Sequence, residues 1–190
     1  MNAFEVALKK LKESSPGQIA INIGGTWDKV KNILTVFYLD TFYSIQYPEI
    51  KFLDETLKNR EKILILHYLI GAKKYIKENG FIGFKDIPSG EMYYPALHSR
   101  IYKPLIKKFG DHPLNFMEKA KKLNGKPFDI SEFSVRFSVF PKIHLIFILY
   151  PADEEFSADA KVLFDASISE IFDIENIVVM CEEIVIKLCS

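Results

Sequence analysis

A stretch of aromatic residues, a histidine and an arginine near the middle of the chain is the segment best suited to binding chemistry. It runs from Tyr93 and Tyr94 through Pro95 to His98 and Arg100. Tyrosine rings offer a surface to a planar ligand, and a guanidinium can hold a carboxylate or phosphate through two hydrogen bonds. In a helix, His98 would share a face with Tyr94 but point away from Arg100. The stretch predicts either part of a ligand pocket or ordinary packing, with Arg100 either a ligand clamp or a structural ion pair.

His67 is a second candidate because it interrupts the most apolar segment of the chain. Apolar residues cover most of the helical circumference from 61 to 77, which predicts a buried helix. A neutral imidazole there needs a hydrogen-bond partner or bears a desolvation cost. We therefore expect His67 to be either a metal or tetrapyrrole ligand or a hydrogen-bonded core histidine. Because its neighbours three and four positions away are apolar or glycine, any metal site would need ligands from distant parts of the chain.

Carboxylates near the last predicted strands form a third group of candidates. The run Asp153-Glu154-Glu155 comes directly after one strand, and Asp165 directly follows the next. Glu155 and Asp165 could bind a hard divalent cation or raise each other's pKa for acid–base work, although the spacing fits no calcium loop. The alternative for the acidic run is a solvated turn. Asp165 ends a strand, so we expect it to need a partner such as Arg100, Arg136 or a backbone amide.

Charge, hydropathy and cysteine content narrow the class of protein. The chain has 190 residues, with 25 Lys plus Arg balancing 25 Asp plus Glu. A nucleic-acid-binding protein normally carries a basic excess, and the longest apolar runs are too short to span a bilayer. Cys181 and Cys189 lack the spacing of a zinc or iron–sulfur site, and the first residues lack a secretory pattern. We expect a cytosolic protein with neither nucleic-acid nor membrane partners.

Two strand pairs separated by a helical block determine the predicted fold. β-branched and aromatic residues at 33–39 and 42–47 flank Asp40-Thr41, and a similar pair occupies 133–140 and 143–150. The chain shows no βαβ alternation, no repeat and no linker. The prediction is one α+β domain over residues 1–190, with a mainly antiparallel sheet from the two strand pairs, a buried central helix and helices packed on the sheet.

Helix signals complete the prediction. The segment 61–77 is the central helix, and Asn79-Gly80 is expected to stop it. The segment 93–109 contains two prolines, which predicts two short helices joined by a kink or loop. The segment 174–188 predicts a C-terminal helix with Asp173 as its N-cap.

Several of these segments together resemble a known bacterial and archaeal family, the domain of unknown function numbered three-seven-eight-six. The resemblance covers most of the chain and lies in the order and spacing of its motifs. They are Leu66-His67-Tyr68-Leu69, the stretch from Gly90-Glu91-Met92 to His98-Ser99-Arg100, Phe109-Gly110, Phe140-Pro141-Lys142, Asp153-Glu154-Glu155-Phe156 and Leu163-Phe164-Asp165-Ala166-Ser167.

The resemblance implies a protein of anaerobic, often acetogenic or methanogenic, organisms. Some relatives carry a cysteine-rich iron–sulfur segment like that of corrinoid proteins, and this sequence lacks that segment. Its two cysteines therefore inherit no cluster chemistry. What the resemblance implies is an association with corrinoid or redox metabolism, with an iron–sulfur or corrinoid protein as a partner.

Three functional hypotheses follow. The first is a ligand-binding or cofactor-binding accessory domain; its cofactor is unassigned, and a corrinoid or other tetrapyrrole is the hypothesis for it. The second is a hydrolase or transferase assisted by a divalent cation and built from His98, Arg100, Glu155 and Asp165; it requires these side chains to converge in a cleft. The third is a protein-interaction module, which would show an exposed apolar patch.

Overall fold

The computed structural model describes residues 3–75 and 80–190. The helices are α1 (Ala3–Lys12), α2 (Pro16–Ile23), α3 (Asn59–Gly71), α4 (Gly90–Leu97), α5 (Lys103–Phe109), α6 (Pro113–Lys122), α7 (Ile168–Ile171) and α8 (Ile174–Cys189). The strands are β1 (Thr26–Asp28), β2 (Ile33–Tyr38), β3 (Thr41–Gln46), β4 (Lys51–Phe52), β5 (Phe81–Gly83), β6 (Lys126–Pro127), β7 (Ser134–Phe140), β8 (Ile143–Tyr150) and β9 (Asp159–Asp165). Short 3₁₀ turns follow α3 (Ala72–Lys74) and β5 (Phe84–Asp86), and a π-helical segment (His98–Tyr102) joins α4 to α5.

The first sheet contains β1 to β4 in chain order, and every neighbouring pair is antiparallel. Along β2 half-buried and buried residues alternate, as expected for a strand with one face in the core. Tyr38 pairs with Thr41, so the hairpin turn is Leu39-Asp40 rather than the predicted Asp40-Thr41. Leu39 adopts a φ of 56°, and its amide donates a hydrogen bond to the carbonyl oxygen of Val139 at 2.8 Å. This bond joins the first hairpin to a strand of the second sheet.

The second sheet has the strand order β5-β9-β8-β7-β6 and is also antiparallel throughout. β8 lies at its centre and is buried along most of its length. Burial of both faces explains why β8 is an almost continuous apolar run rather than an alternating one. β9 lies beside β8 and leads directly into α7 and α8.

The predicted α+β class is confirmed, and the sheets are antiparallel as expected. The single sheet built from two strand pairs is corrected to two separate sheets. The short strands β1 and β4 occupy both edges of the first hairpin, while β6 and β9 occupy the edges of the second. With these edges paired, the two hairpins meet through side chains and through the hydrogen bond from Leu39 to Val139.

The predicted buried central helix is α3, which places Leu64, Ile65, Leu66 and Tyr68 in the core. Tyr68 stacks on Phe140 of β7 with ring centroids 4.1 Å apart. Phe140 also contacts Phe172, between α7 and α8, and Tyr38 of β2. This group of four rings, the aromatic stack, joins α3 to both sheets and to the start of the C-terminal helix.

α3 ends earlier than the sequence pattern indicates. It stops at Gly71 and tightens into a 3₁₀ turn, and residues 76–79, which hold the end of the predicted helix and Asn79 of the predicted stop, lie outside the described residues. A Cβ atom at Gly71 would lie 2.8 Å from Cγ2 and 2.9 Å from the carbonyl oxygen of Ile171. The missing side chain therefore lets α7 pack directly on the end of α3.

The proline-containing segment forms two short helices, α4 and α5, as predicted, and a π-helical segment rather than a loop joins them into one continuous path. Pro95 lies inside α4, and Pro104 lies in the first turn of α5, where its missing N–H costs little. The π-helical segment between them absorbs the irregularity, as such single wide turns commonly do. α8 begins as predicted, because the Asp173 carboxylate accepts a hydrogen bond from the amide of Asn176 at 2.8 Å.

Candidate functional site

A surface cleft of about 1000 Å³ lies where the end of α1, the start of α2, the end of α3 and α7 meet. Its volume is at the upper end of the range for small-molecule sites, about 300–1,000 Å³. Apolar side chains of α2, α3 and α7 form part of its wall, namely Ile19, Leu69, Ile70 and Ile171. Its polar and charged lining consists of Lys10, Glu13, Ser14, Ser15, Gln18, Asn22, His67, Lys73, Lys74 and Glu170. We call this the His67 cleft.

His67 is half-buried in this cleft and its ring is held by the first turn of α8. Nδ2 of Asn176 lies 2.9 Å from His67 Nδ1 and 2.8 Å from Oδ2 of Asp173. An ionised carboxylate only accepts hydrogen bonds, so the Asn176 atom between the two partners is the amide NH₂ group. That group donates to both, and His67 Nδ1 is the acceptor. The neutral ring consequently carries its proton on Nε2.

This hydrogen-bond polarity bears on the expected metal or tetrapyrrole role of His67. A histidine that ligates a metal usually donates from its second ring nitrogen to a carboxylate or carbonyl. In His67, Nδ1 instead accepts a hydrogen bond from Asn176, and Nε2 bears the proton. The arrangement favours His67 as a hydrogen-bond donor to an anionic or carbonyl group.

The charged lining of the His67 cleft has a small positive excess. Lys10, Lys73 and Lys74 contribute three ammonium groups against the carboxylates of Glu13 and Glu170. Two of the lysines lie in the turn that ends α3, directly after the helix that carries His67. The lining therefore combines ammonium groups with an N–H donor, which suits a ligand that carries a carboxylate or phosphate.

The aromatic stretch lies elsewhere, on α4 and the π-helical segment. Tyr94, His98 and Tyr102 pack against one another, with all three pairs of ring centroids about 6 Å apart (6.0 to 6.1 Å). Lys85 places its ammonium group 4.6 Å from the centre of the Tyr94 ring. Tyr93 is half-buried against the core. None of these side chains lines the His67 cleft, and the shared face of Tyr94 and His98 is used for mutual packing.

Arg100 forms ion pairs with α8. Its Nη2 and Nε lie 2.9 and 3.3 Å from the two carboxylate oxygens of Glu182, and Nη1 lies 2.8 Å from Glu175. These hydrogen bonds raise the pKa of Arg100 and lower the pKa of Glu182, because each charge stabilises the other. All three guanidinium nitrogens are occupied, so Arg100 has the geometry of a structural ion pair.

A second arginine, Arg60 of α3, also forms ion pairs with α8. Arg60 pairs with Glu182 at 3.5 Å and, through Nε, with the buried carboxylate of Glu183. Desolvation raises the pKa of Glu183, while the Arg60 charge opposes that shift. Glu61 is also buried and accepts the amide hydrogen bond of Lys58 at 2.9 Å, which caps the start of α3. The ion pairs of Arg60 with Glu182 and Glu183 therefore join α3 to α8.

Glu155 and Asp165 lie near opposite ends of β9. Asp165 is buried at its exit and accepts hydrogen bonds from the amide and hydroxyl of Ser167 at 3.1 and 2.7 Å. Glu155 is exposed in the loop that precedes β9. The strand makes six residue steps of about 3.3 Å, so its ends are about 20 Å apart. Within residues 3–75 and 80–190, no group of three or more His, Cys, Asp or Glu side chains is placed to hold a metal ion.

His144 was not singled out in the sequence, yet it faces Asp165 across the sheet. The β8–β9 register pairs Leu145 with Phe164, which puts His144 opposite Asp165. Nδ1 of His144 is buried without a hydrogen-bond partner among the described residues. Burial and the nearby Arg136 charge lower the pKa of His144, and Asp165 opposes them. Residues that lie opposite each other on neighbouring strands share one face of a sheet, so this pair could have been identified once the β8–β9 register was known.

Other parts of the candidate site also escaped prediction. Asn176 fixes the His67 ring, but it is distant in sequence and carries no motif of its own. In the sequence, Lys73 and Lys74 look like the basic residues that commonly lie in solvent at the C-terminal end of a helix. The one signal in the sequence was Asp173, the predicted N-cap of α8. Its carboxylate accepts hydrogen bonds from the backbone and side-chain amides of Asn176 and so positions Asn176 beside His67.

The comparison with protein families agrees with the resemblance carried by the motifs in the sequence. A family described as a domain of unknown function, DUF3786, matches residues 15–187. The chain belongs to this family. No curated protein and no solved structure matched the chain.

Within the described residues, no helix is both long and apolar enough to cross a bilayer.

Proposed function

We propose that this chain is a ligand-binding accessory domain that holds an anionic organic molecule in the His67 cleft. The carrying observation is the cleft itself, a space of about 1000 Å³ lined by His67, whose ring is oriented by Asn176 and Asp173 and carries its proton on Nε2. A histidine without such support could rotate and change tautomer. Orientation before binding lowers the entropy that a ligand must lose.

The apolar and charged linings point to the same class of ligand. Isoleucine and leucine side chains can cover an organic body, and the lysines of the cleft can bind its carboxylate or phosphate groups. Tetrapyrroles and corrinoids are large organic molecules with acidic or amide side chains, so the proposed cofactor class fits this chemistry. A role in anaerobic corrinoid or redox metabolism remains part of the proposal, as does an iron–sulfur or corrinoid protein as a partner. Cytosolic location is included because Cys181 and Cys189 are both free thiols.

A thermal-shift panel tests the proposal. The ligands are corrinoids, propionate-bearing tetrapyrroles, nucleotides, simple carboxylates and divalent cations, each added to the full chain. A ligand at one hundred times its Kd stabilises the native state by about 2.7 kcal/mol. For a chain of this length that corresponds to a rise in Tm of about 5–11 °C.

Charge-reversal variants locate the site. Lys73→Glu combined with Lys74→Glu should reduce the shift by half or more, since a tenfold weaker Kd leaves about 1.4 kcal/mol of the stabilisation. The matched control is Lys121→Glu with Lys122→Glu, a pair of exposed lysines that likewise ends a helix, α6. The control should keep the full shift.

Two histidine variants complete the test. His67→Ala should weaken the shift, and His98→Ala, which removes a half-buried histidine outside the cleft, should leave it intact. Loss of the shift only in His98→Ala would move the site to the aromatic stretch. A shift seen only with Mg²⁺ or Mn²⁺ and lost in Asp165→Ala would support the hydrolase or transferase hypothesis instead. No shift with any anion would refute the proposal.

A further inference from the structure

A second cleft of about 590 Å³ lies at the end of the five-stranded sheet away from α7. It is formed where β7 begins, β8 ends and the loop into β9 turns back. Aromatic and other apolar side chains line it, namely Phe133, Leu149, Tyr150, Pro151, Ala152 and Phe156. A neighbouring cleft of about 530 Å³, formed by residues 127–132, shares Ser131 and Glu132 with it. We call the two adjoining clefts together the acidic groove.

The charges around this groove have one sign. The two segments that form it, 127–133 and 149–159, carry six carboxyl groups and neither lysine nor arginine. All six acidic residues are exposed, namely Asp129, Glu132, Asp153, Glu154, Glu155 and Asp159. The chain as a whole has no net charge, so this local excess is a feature of the groove. It creates a negative potential that attracts and orients a basic partner.

The aromatic groups are held in place by local hydrogen bonds. The Asp153 carboxylate accepts the amides of Glu155 and Phe156 at 2.9 and 2.7 Å, and these bonds lower the pKa of Asp153. Its own amide donates to the carbonyl oxygen of Phe156 at 3.0 Å. The closed turn holds the Phe156 side chain 69% exposed. On the opposite wall, the buried Ser134 hydroxyl bonds the carbonyl oxygen of Ser131 at 2.7 Å.

Three of the exposed large apolar side chains belong to this region, Ile130, Tyr150 and Phe156. Water contact with such a group is unfavourable, and a patch rimmed by polar residues is typical of an interaction surface. Its carboxylates extend beyond the space that one small cation would occupy, from Asp129 in one cleft to Asp153 and Asp159 in the other. The complementary surface is therefore an extended one, with positive charges beside apolar side chains.

We infer that the acidic groove docks a basic segment of a partner protein, in which lysine or arginine side chains flank an apolar residue. The apolar residue enters between Phe133 and Phe156, and the basic side chains face Glu132, Glu154 and Glu155. Aromatic rings strengthen this pairing, because their faces attract ammonium and guanidinium groups. This docking uses different residues from the His67 cleft, so the two sites can be tested separately.

The direct test measures fluorescence anisotropy of a short fluorescein-labelled peptide of alternating lysine and leucine, titrated with the full chain. Three competitors accompany it: a glutamate–leucine peptide, a lysine–glycine peptide and spermidine. We expect the lysine–leucine peptide to bind and its affinity to fall as salt is added, since exposed charges are screened. The acidic and glycine peptides and spermidine should compete poorly.

Two pairs of variants assign the binding to the groove. Phe156→Ala should weaken binding about tenfold, the size expected for a central aromatic anchor. Its control is Phe42→Ala, which removes a phenylalanine of the same 69% exposure from β3. Glu154→Lys with Glu155→Lys should weaken binding by a similar factor or more.

The control for charge reversal is Glu91→Lys with Glu118→Lys on helices α4 and α6. Because every substituted side chain in these variants is exposed, each should fold, and a circular dichroism melt checks it. Equal weakening in test and control variants would overturn the inference. Equal competition by the lysine–glycine peptide would also overturn it, because charge attraction alone would then explain binding. Equal competition by spermidine would overturn it as well, because the site would then be one for a small cation. Absence of binding by the lysine–leucine peptide would also overturn it.

Discussion

The contact between Gly71 and α7 gives the sharpest test of the packing around the His67 cleft. Gly71 has helical backbone angles, φ −82° and ψ −27°, which alanine adopts without strain. The added Cβ atom, however, would lie 2.8, 2.9 and 3.1 Å from Cγ2, the carbonyl oxygen and Cα of Ile171. Two of these three atoms belong to the backbone, so α7 must move to accept the methyl group. Gly71→Ala is therefore expected to separate α3 from α7.

The size of the effect follows from two opposing terms. Overpacking by a methyl group costs about 1–3 kcal/mol. Alanine's better helix propensity returns up to about 1 kcal/mol. With about 2 kcal/mol for the overpacking, the expected net loss in the free energy of unfolding is about 1 kcal/mol, or a Tm lower by about 2–4 °C for a chain of this length.

Gly17 of α2 provides the matched control. Its added Cβ would meet only Cδ1 of Trp27 at 3.8 Å, an ordinary contact. Gly17→Ala should therefore stabilise the protein by up to about 1 kcal/mol through propensity and reduced chain entropy. Urea unfolding followed by circular dichroism measures both variants. If Gly71→Ala proves as stable as Gly17→Ala, the close packing of α7 on α3 is wrong.

Three further predictions concern side chains away from that contact. Arg100→Lys should lower the free energy of unfolding by about 1 kcal/mol, because lysine cannot make the paired hydrogen bonds to Glu182. Urea unfolding measures this loss, which should be smaller in high salt. A variant as stable as the parent in low salt would contradict the prediction. Burial holds the pKa of His144 below its ordinary value of about 6.5, so stability should fall as pH drops through that value, because the unfolded chain takes up a proton more readily. In urea titrations His144→Gln should show a smaller fall than the parent, and identical pH curves would contradict this assignment. Cys181 is fully buried and Cys189 half-buried, and burial raises the pKa of both thiols; a thiol reagent should label Cys189 first by peptide mass spectrometry, and equal labelling rates would contradict the structure.

The long strands and the C-terminal helix were predictable because their signals are local. Alternating or continuous apolar residues marked β2, β3, β7 and β8, and Asp173 marked the start of α8. Short strands such as β4 and β6 have two residues each, too few for any period to appear. Their pairing depends on neighbouring hairpins, which is why the sequence suggested one sheet where the structure has two.

The candidate site was harder to predict because its parts are distant in sequence. His67 was identified from its apolar surroundings, but its partner Asn176 comes from α8 and the cleft also needs α1, α2 and α7. The motif around Tyr94 and Arg100 was conspicuous in sequence, and its side chains pack on one another and on α8. Residue type alone could not distinguish a ligand contact from a helix–helix contact.

The aromatic stack has a consequence for the order in which this chain folds during synthesis. Its rings come from Tyr38, Tyr68, Phe140 and Phe172, so the last member leaves the ribosome when most of the chain has already been made. Until then α3, α4, α5 and α6 expose the surface that α8 will cover. Nascent chains of this protein should therefore need chaperone protection until late in translation, since exposed core surface favours aggregation.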